Sequence, residues 1–233
     1  MIPFILRICI LTAAAFFAGA GVVYVFNRMP AKWLCDYDEE PKKEMWGVRI
    51  HKYPYGFFFC MYFGFAGVIM WDREPLYQIA ALFTLWVLLL IAISDIKYMI
   101  IPDQLIIALA VAATGFIPFQ GSIMSPLFGS LAGGGSLLTI GLIGKWIFKK
   151  ETMGFGDVKF IAAAGLISGI KGMVLILFMS IFAAGIVMGA RLLAGKSKKD
   201  DQFPFGPFIA AFTVAYIVFR PFLSAFADWY FLW

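Results

Sequence analysis

An all-α polytopic membrane protein, with about eight transmembrane or membrane-embedded helices joined by short loops, is the fold class this sequence predicts. Three observations predict it. Of the 233 residues, 62% are hydrophobic and only 14% charged, whereas soluble domains hold about 45–50% apolar and about 25% charged residues. The mean hydropathy is +0.88. The apolar residues also gather in runs that approach or exceed the ~20 a helix needs to cross a bilayer. With 26 Phe, 7 Trp and 9 Tyr demanding burial and only 3 Cys, disordered chains and disulfide-rich secreted scaffolds are excluded.

The runs read in order as follows. Ile8 to Asn27 is preceded only by Arg7 and followed by Arg28 and Lys32, so it is expected to be a retained span and not a cleaved signal. Pro54 to Trp71 and Pro75 to Ser94 follow. Gln104 to Gly144 is too long for one crossing and is interrupted by Pro118, Gln120, Gly121 and Ser122, which predicts two helices joined by a tight turn. Phe160 to Ile170, Gly172 to Ala190 and Gln202 to Phe219 complete the set before a Trp- and Tyr-rich tail. The stretches after Asp103 and Asp157 are short enough to be buried or re-entrant. The Gly-rich Leu131 to Ser136 predicts close helix packing.

Charge sets the expected orientation. With the N-terminus outside, only Arg7, Arg73, Lys171 and Arg220 of the 19 Lys and Arg residues fall outside the cytoplasmic loops. That asymmetry accounts for the net charge of +5 with the lipid bilayer as partner and no nucleic acid. His51 is the sole histidine, and Cys9, Cys35 and Cys60 form no CxxC pair, so no metal site is expected.

Two neighbourhoods on the inner side combine acidic residues with apolar flanks: Ser94 to Asp103, and Gly154 to Lys159. Ionisable residues at membrane depth are costly, which makes them functional candidates. Asp103 and Asp157 each precede an apolar run and suit an N-cap, the role expected of Asp103. Asp95 ends the third run, where the helix dipole disfavours a carboxylate, so something other than helix stability is expected to keep it there. By helix ends alone, Asp157 would be the ionised, water-activating member of a pair and Asp95 the protonated one. Two carboxylates brought together share a proton, and such a pair can activate water while polarising a carbonyl, the chemistry of an aspartic protease. Gly154 and Gly156 would let an extended substrate approach the backbone beside Asp157 and would tolerate unusual dihedrals. Lys97 and Lys159 each lie two residues beyond a candidate Asp and either tune the pair or anchor helix ends at the headgroups; anchoring is the expectation for Lys97.

Asp95 with Ile101-Pro102-Asp103, GFGDVK at Gly154 to Lys159, and PFGPF at Pro204 to Phe208 together resemble the type IV prepilin peptidase family, membrane aspartic proteases of the GxGD class. The resemblance spans Leu76 to Tyr216. It implies that Asp95 and Asp157 are catalytic. It also implies that prepilins or pseudopilins are the substrates, their basic leaders cut after a Gly on the cytoplasmic face of the bacterial inner membrane. Gly154, Gly156, Lys159, Pro204 and Gly206 are the expected substrate-binding residues, although PFGPF would equally suit a sharp helix end. No cofactor is implied for the peptidase step. The rival expectation is a proton- or cation-coupled transporter built on intramembrane carboxylates.

Residues 1–74 are expected to form an N-terminal two-helix region with a cytoplasmic loop, and 75–233 the peptidase-like membrane domain. Family members that also N-methylate their product with S-adenosylmethionine often carry two CxxC pairs in that loop. Here it holds only Cys35, so methylation, and with it any need for S-adenosylmethionine, is in doubt. The loop also gathers Asp36, Asp38, Glu39, Glu40 and Glu44, either a solvated stretch of balanced charge or an attractor for a cationic leader.

Overall fold

The computed structural model describes residues 4–36, 39–149, 153–195 and 203–231, and the ordered elements among them are all helical. Asp38 of the acidic loop, and Lys150, Lys196, Lys198, Lys199 and Gln202 of the span and charge assignments, lie outside the described residues. The helices are α1 (Phe4–Arg28), α2 (Tyr55–Ile69), α3 (Pro75–Tyr98), α4 (Asp103–Ala113), α5 (Met124–Phe148), α6 (Phe155–Leu193), α7 (Gly206–Val218) and α8 (Arg220–Phe231). α1, α3, α5 and α6 are long and apolar enough to cross a membrane; α7 and α8 meet at 97° and could together make one broken span. α2 and the stretch Asp103–Phe119 are shorter apolar helices.

α3 is the central column. Pro75 stands in its first turn, and Met99 ends it in the left-handed region (φ 55, ψ 34), its N–H donating to the Asp95 carbonyl at 2.9 Å. Leu85, Leu88, Leu90 and Ile91 of α3 are fully buried and meet Phe26 of α1, Phe63 of α2 and Phe160 of α6 in one core. Large side chains such as Phe17, Phe65, Leu131 and Phe182 face outward, as the apolar exterior of a lipid-embedded bundle requires.

α6 is two helices joined at Gly169, whose φ of 69° and ψ of −179° belong to a region open essentially to glycine alone. The sequence pattern puts this division at Lys171, two residues later. Its position is fixed by other segments: Gln120 Nε2 donates to the Leu166 and Ile167 carbonyls at 3.0 and 2.8 Å, the Ile170 N–H donates to Ser125 Oγ at 3.4 Å, and Tyr216 Oη donates to the Ser168 carbonyl at 3.1 Å. These partners satisfy backbone groups that a broken helix strands in an apolar medium. Along the same contact α5 lies against α6 with small residues, and a Cβ on Gly129 would come within 2.6 Å of the Gly169 backbone.

The loop after α1 is folded, not merely solvated. Arg49 is buried and donates from Nε, Nη1 and Nη2 to the carbonyls of Met45, Phe26 and Met29, each at 2.7 Å. Asn27 Oδ1 accepts from the Arg49 and Ile50 N–H groups at 2.7 and 2.9 Å. Leu34, Met45 and Ile50 join the core beneath this network. Lys97, expected at the headgroups, instead donates to the Arg49 carbonyl and ties the end of α3 to the loop.

Candidate active site

The end of α3, the starts of α4 and α6, and the loop after α1 enclose a cavity of about 770 Å³. Asp95 and Asp157 both line it. Asp95 lies one turn before the end of α3 and is buried. Asp157 occupies the first turn of α6.

What holds Asp95 is the backbone of the PFGPF segment. The Gly206 N–H donates to Asp95 Oδ2 at 2.8 Å from the first residue of α7. PFGPF therefore starts a helix; it does not end one, and Pro207 suits that first turn because its missing N–H would have had no intrahelical acceptor. Neither Pro204 nor Gly206 is among the residues lining the cavity, and Gly206 acts on the site through Asp95.

Asp157 differs. The N-cap of α6 is Gly154, without a side-chain cap, and Asp157 Oδ1 is buried with no hydrogen-bond partner among the described residues. A buried carboxylate oxygen without a partner is energetically costly, which sets Asp157 apart from a residue kept for helix stability alone. Gly154 (φ −71, ψ 137) and the helical Gly156 take dihedrals open to any residue, so their value is steric. A Cβ on Gly156 would come within 3.3 Å of Ile101 Cβ, and one on Gly154 within 3.4 Å of Asp157 Oδ2.

The N-cap of α4 is Pro102, whose side chain has no polar atom to cap with, and Asp103 is the first residue of the helix itself. The Asp103 carboxylate takes Lys159 Nζ at 2.8 and 2.9 Å, joining the starts of α4 and α6 at the cavity wall. Both residues, with Gly154 and Gly156, line the cavity. Sequence reasoning missed the opposite wall, made by Pro30, Lys32, Trp33, Cys35 and Asp36. The available signal was Trp33-Leu34 and Met45-Trp46 set inside a charged loop, apolar pairs that a purely solvated loop does not need. Among the described residues no cluster of three His, Cys, Asp or Glu could hold a metal ion.

Fold and site together define a helical membrane protein with a carboxylate pair in a cavity at one end of its bundle. The family model described as type IV leader peptidase matches residues 82–189, which include Asp95 and Asp157. A leader peptidase HopD of Escherichia coli is 30% identical over 125 residues, 52% of this chain and 81% of that protein. The chain belongs to the type IV leader peptidase family. It is also similar to proteins named prepilin leader peptidase/N-methyltransferase: 32% identical over 127 residues to that of Xanthomonas campestris pv. campestris, covering 52% of this chain and 44% of the relative. The same name is borne by a Pseudomonas aeruginosa protein 29% identical over 149 residues, covering 62% and 51%. The chain thus spans about half the length of these two-activity relatives. No solved structure matches it.

Proposed function

We propose that this chain is a membrane aspartic endopeptidase that removes the basic leader of type IV prepilins or pseudopilins, cutting after Gly. Asp95 and Asp157 are the catalytic pair. The observation that carries the reading is the meeting in one cavity of a carboxylate fixed by a backbone N–H and a carboxylate with a buried, unpartnered oxygen. One carboxylate takes a proton from water as the water oxygen adds to the scissile carbonyl, and the other gives its proton to the carbonyl oxygen. That adduct collapses with breakage of its C–N bond: the carboxyl that took the water proton gives it to the leaving amine nitrogen, the other carboxylate recovers a proton from the diol, and leader and mature chain are released. The cavity faces the cytoplasm and the N-terminus lies outside, a topology supported by the distribution of Lys and Arg. Cleavage of a purified prepilin, followed by mass determination of the product, tests the reading. Asp95→Asn and Asp157→Asn should each abolish it at matched membrane abundance, because Asn keeps the size but cannot exchange the proton.

N-methylation is not part of the proposed function. The loop after α1 turns Leu34, Met45 and Ile50 into the core, spends Arg49 on backbone carbonyls and gives its remaining wall to the carboxylate cavity. The mature product should therefore gain no 14-dalton increment, about one methyl group, when the purified chain is supplied with S-adenosylmethionine, because the loop has no cysteine pairs to organise a second site.

A further inference from the structure

At the other end of the bundle is a second site that the proteolytic reading does not use. Tyr77 and Asp95 are separated by 18 residues of α3, roughly 27 Å of helix rise. Beside Tyr77, a polar cavity of about 170 Å³ is lined by Gln120, Ser168, Lys171, Tyr216, Arg220 and Asp228, among others. Two of its buried polar atoms, Gln120 Oε1 and Arg220 Nη1, have no hydrogen-bond partner among the described residues. Arg220 Nη2 donates to the Phe119 carbonyl at 2.6 Å, and the guanidinium lies 5.8 Å from the Tyr77 ring centroid and interacts with the Tyr77 side chain, so the group is held in place at the cavity wall. Lys171 pairs with Asp228 at 3.0 Å. Among the described residues that line the cavity, two cations and one anion give a net charge of +1.

Tyr216 also lines a neighbouring groove of about 520 Å³, walled by Leu175, Met179, Phe212, Phe222 and Phe226 among other apolar side chains. α8 separates the two. Arg220, Ser224 and Asp228, four residues apart, line the polar cavity, while Phe222, Leu223 and Phe226 line the groove. The 97° turn from α7, the polar and apolar faces of α8 and the exposed Phe222 and Trp229 suit α8 to lying along the membrane interface.

We propose that this corner is a binding site for one phospholipid molecule, its phosphodiester held by Arg220 and Lys171 and one acyl chain laid in the apolar groove. The charge complementarity is specific, since one phosphate neutralises the surplus positive charge and supplies an acceptor for Arg220 Nη1. The groove supplies the second half of the recognition, and the shared Tyr216 makes the two halves continuous. Either half alone would take an ion or a detergent tail; joined across an interfacial helix they match the two chemically unlike ends of a phospholipid.

The test uses the full chain in maltoside micelles with three probes: dioctanoylphosphatidylglycerol, dioctanoylglycerol and inorganic phosphate. Binding is read by native mass spectrometry and by the shift in melting temperature. Dioctanoylphosphatidylglycerol should bind at least about tenfold more tightly than either partial probe. Arg220→Gln and Lys171→Gln should each lose roughly fivefold to tenfold in that affinity, and Ala215→Phe, which fills the groove, should lose a similar factor. Arg220→Lys, keeping a cation, covers the case in which Arg220→Gln does not fold, and should retain more binding than Lys171→Gln. Equal binding of dioctanoylglycerol would overturn the headgroup site, and equal binding of phosphate would overturn the groove. Lipid affinity indifferent to both Lys171→Gln and Ala215→Phe would overturn the proposal as a whole.

Discussion

The N–H of Gly206 donates to Asp95 Oδ2 at 2.8 Å across 111 residues of sequence, so the start of α7 fixes the carboxylate at the end of α3. A methyl group at that position has no room: a Cβ on Gly206 would lie 2.8 Å from Asp95 Oδ2 and 3.2 Å from its Cγ. Gly206→Ala should therefore fold, since Ala favours the helix, yet turn Asp95 away. We expect kcat for leader cleavage to fall at least about tenfold, ~1.4 kcal/mol of transition-state stabilisation, with KM changed little. Steady-state kinetics on a prepilin peptide checks this, and wild-type kcat would show that Asp95 does not depend on the contact.

The three aspartates should separate by function. Asp103 and Lys159 keep side-chain exposures of 31% and 35%, so solvent screens their ion pair and limits it to about 0–1 kcal/mol. Asp103→Asn should lower kcat/KM by no more than several-fold, roughly what that energy allows, while Asp95→Asn and Asp157→Asn fall to background. A dead Asp103→Asn beside an active Asp95→Asn would assign the partner of Asp157 differently. The N-terminus of α7 also removes a simple ranking of the pair. Asp95 sits near the negative end of α3, but it also faces the positive end of α7, so helix ends alone no longer assign acid and base.

The helical membrane fold is legible in the sequence because long uncharged runs have one physical outcome in a bilayer, and the runs from Ile8 and Pro75 become α1 and α3. The two aspartates are legible from their cost in such runs and from the motifs around them. Long-range partners are not. Asp103 resembles a cap because its cation, Lys159, lies 56 residues away. The break in α6 is expected at the charged Lys171, whereas Gln120 and Ser125 of a different segment hold it at Gly169. Arg49 reads as one more loop charge, although its three backbone acceptors make it the centre of the loop. α8 reads as a tail because Arg220, Ser224 and Asp228 acquire meaning only once the chain turns by 97° onto the bundle.

Gly169 gives a stability test separate from catalysis. With φ at 69° and an added Cβ only 2.5 Å from Ser125 Oγ, Gly169→Ala combines backbone strain with a clash. The strain alone is worth about 1–3 kcal/mol. The apparent melting temperature in detergent should fall by several degrees, whereas Gly135→Ala, where nothing lies within 4 Å of the added carbon, should leave it unchanged or raise it. An unshifted Gly169→Ala would show that α6 runs straight through this position.

The acidic loop yields the last prediction, which concerns how a cationic leader reaches the carboxylates. Asp36 lines the same cavity as Asp157, and Glu39, Glu40 and Glu44 follow it in the chain. A Lys-rich leader approaching such a wall is attracted over about one Debye length, ~8 Å at physiological salt, so added salt should weaken binding before it affects chemistry. Asp36→Asn combined with Glu39→Gln and Glu40→Gln should raise KM several-fold, roughly 1 kcal/mol of lost uniform binding, with kcat nearly unchanged. The same variant should flatten the rise of KM between low and high salt. Steady-state kinetics at graded ionic strength separates the two accounts of the loop. A KM that keeps its full salt dependence would return these carboxylates to the role of solvated surface and move leader recognition to the Asp103 side of the cavity.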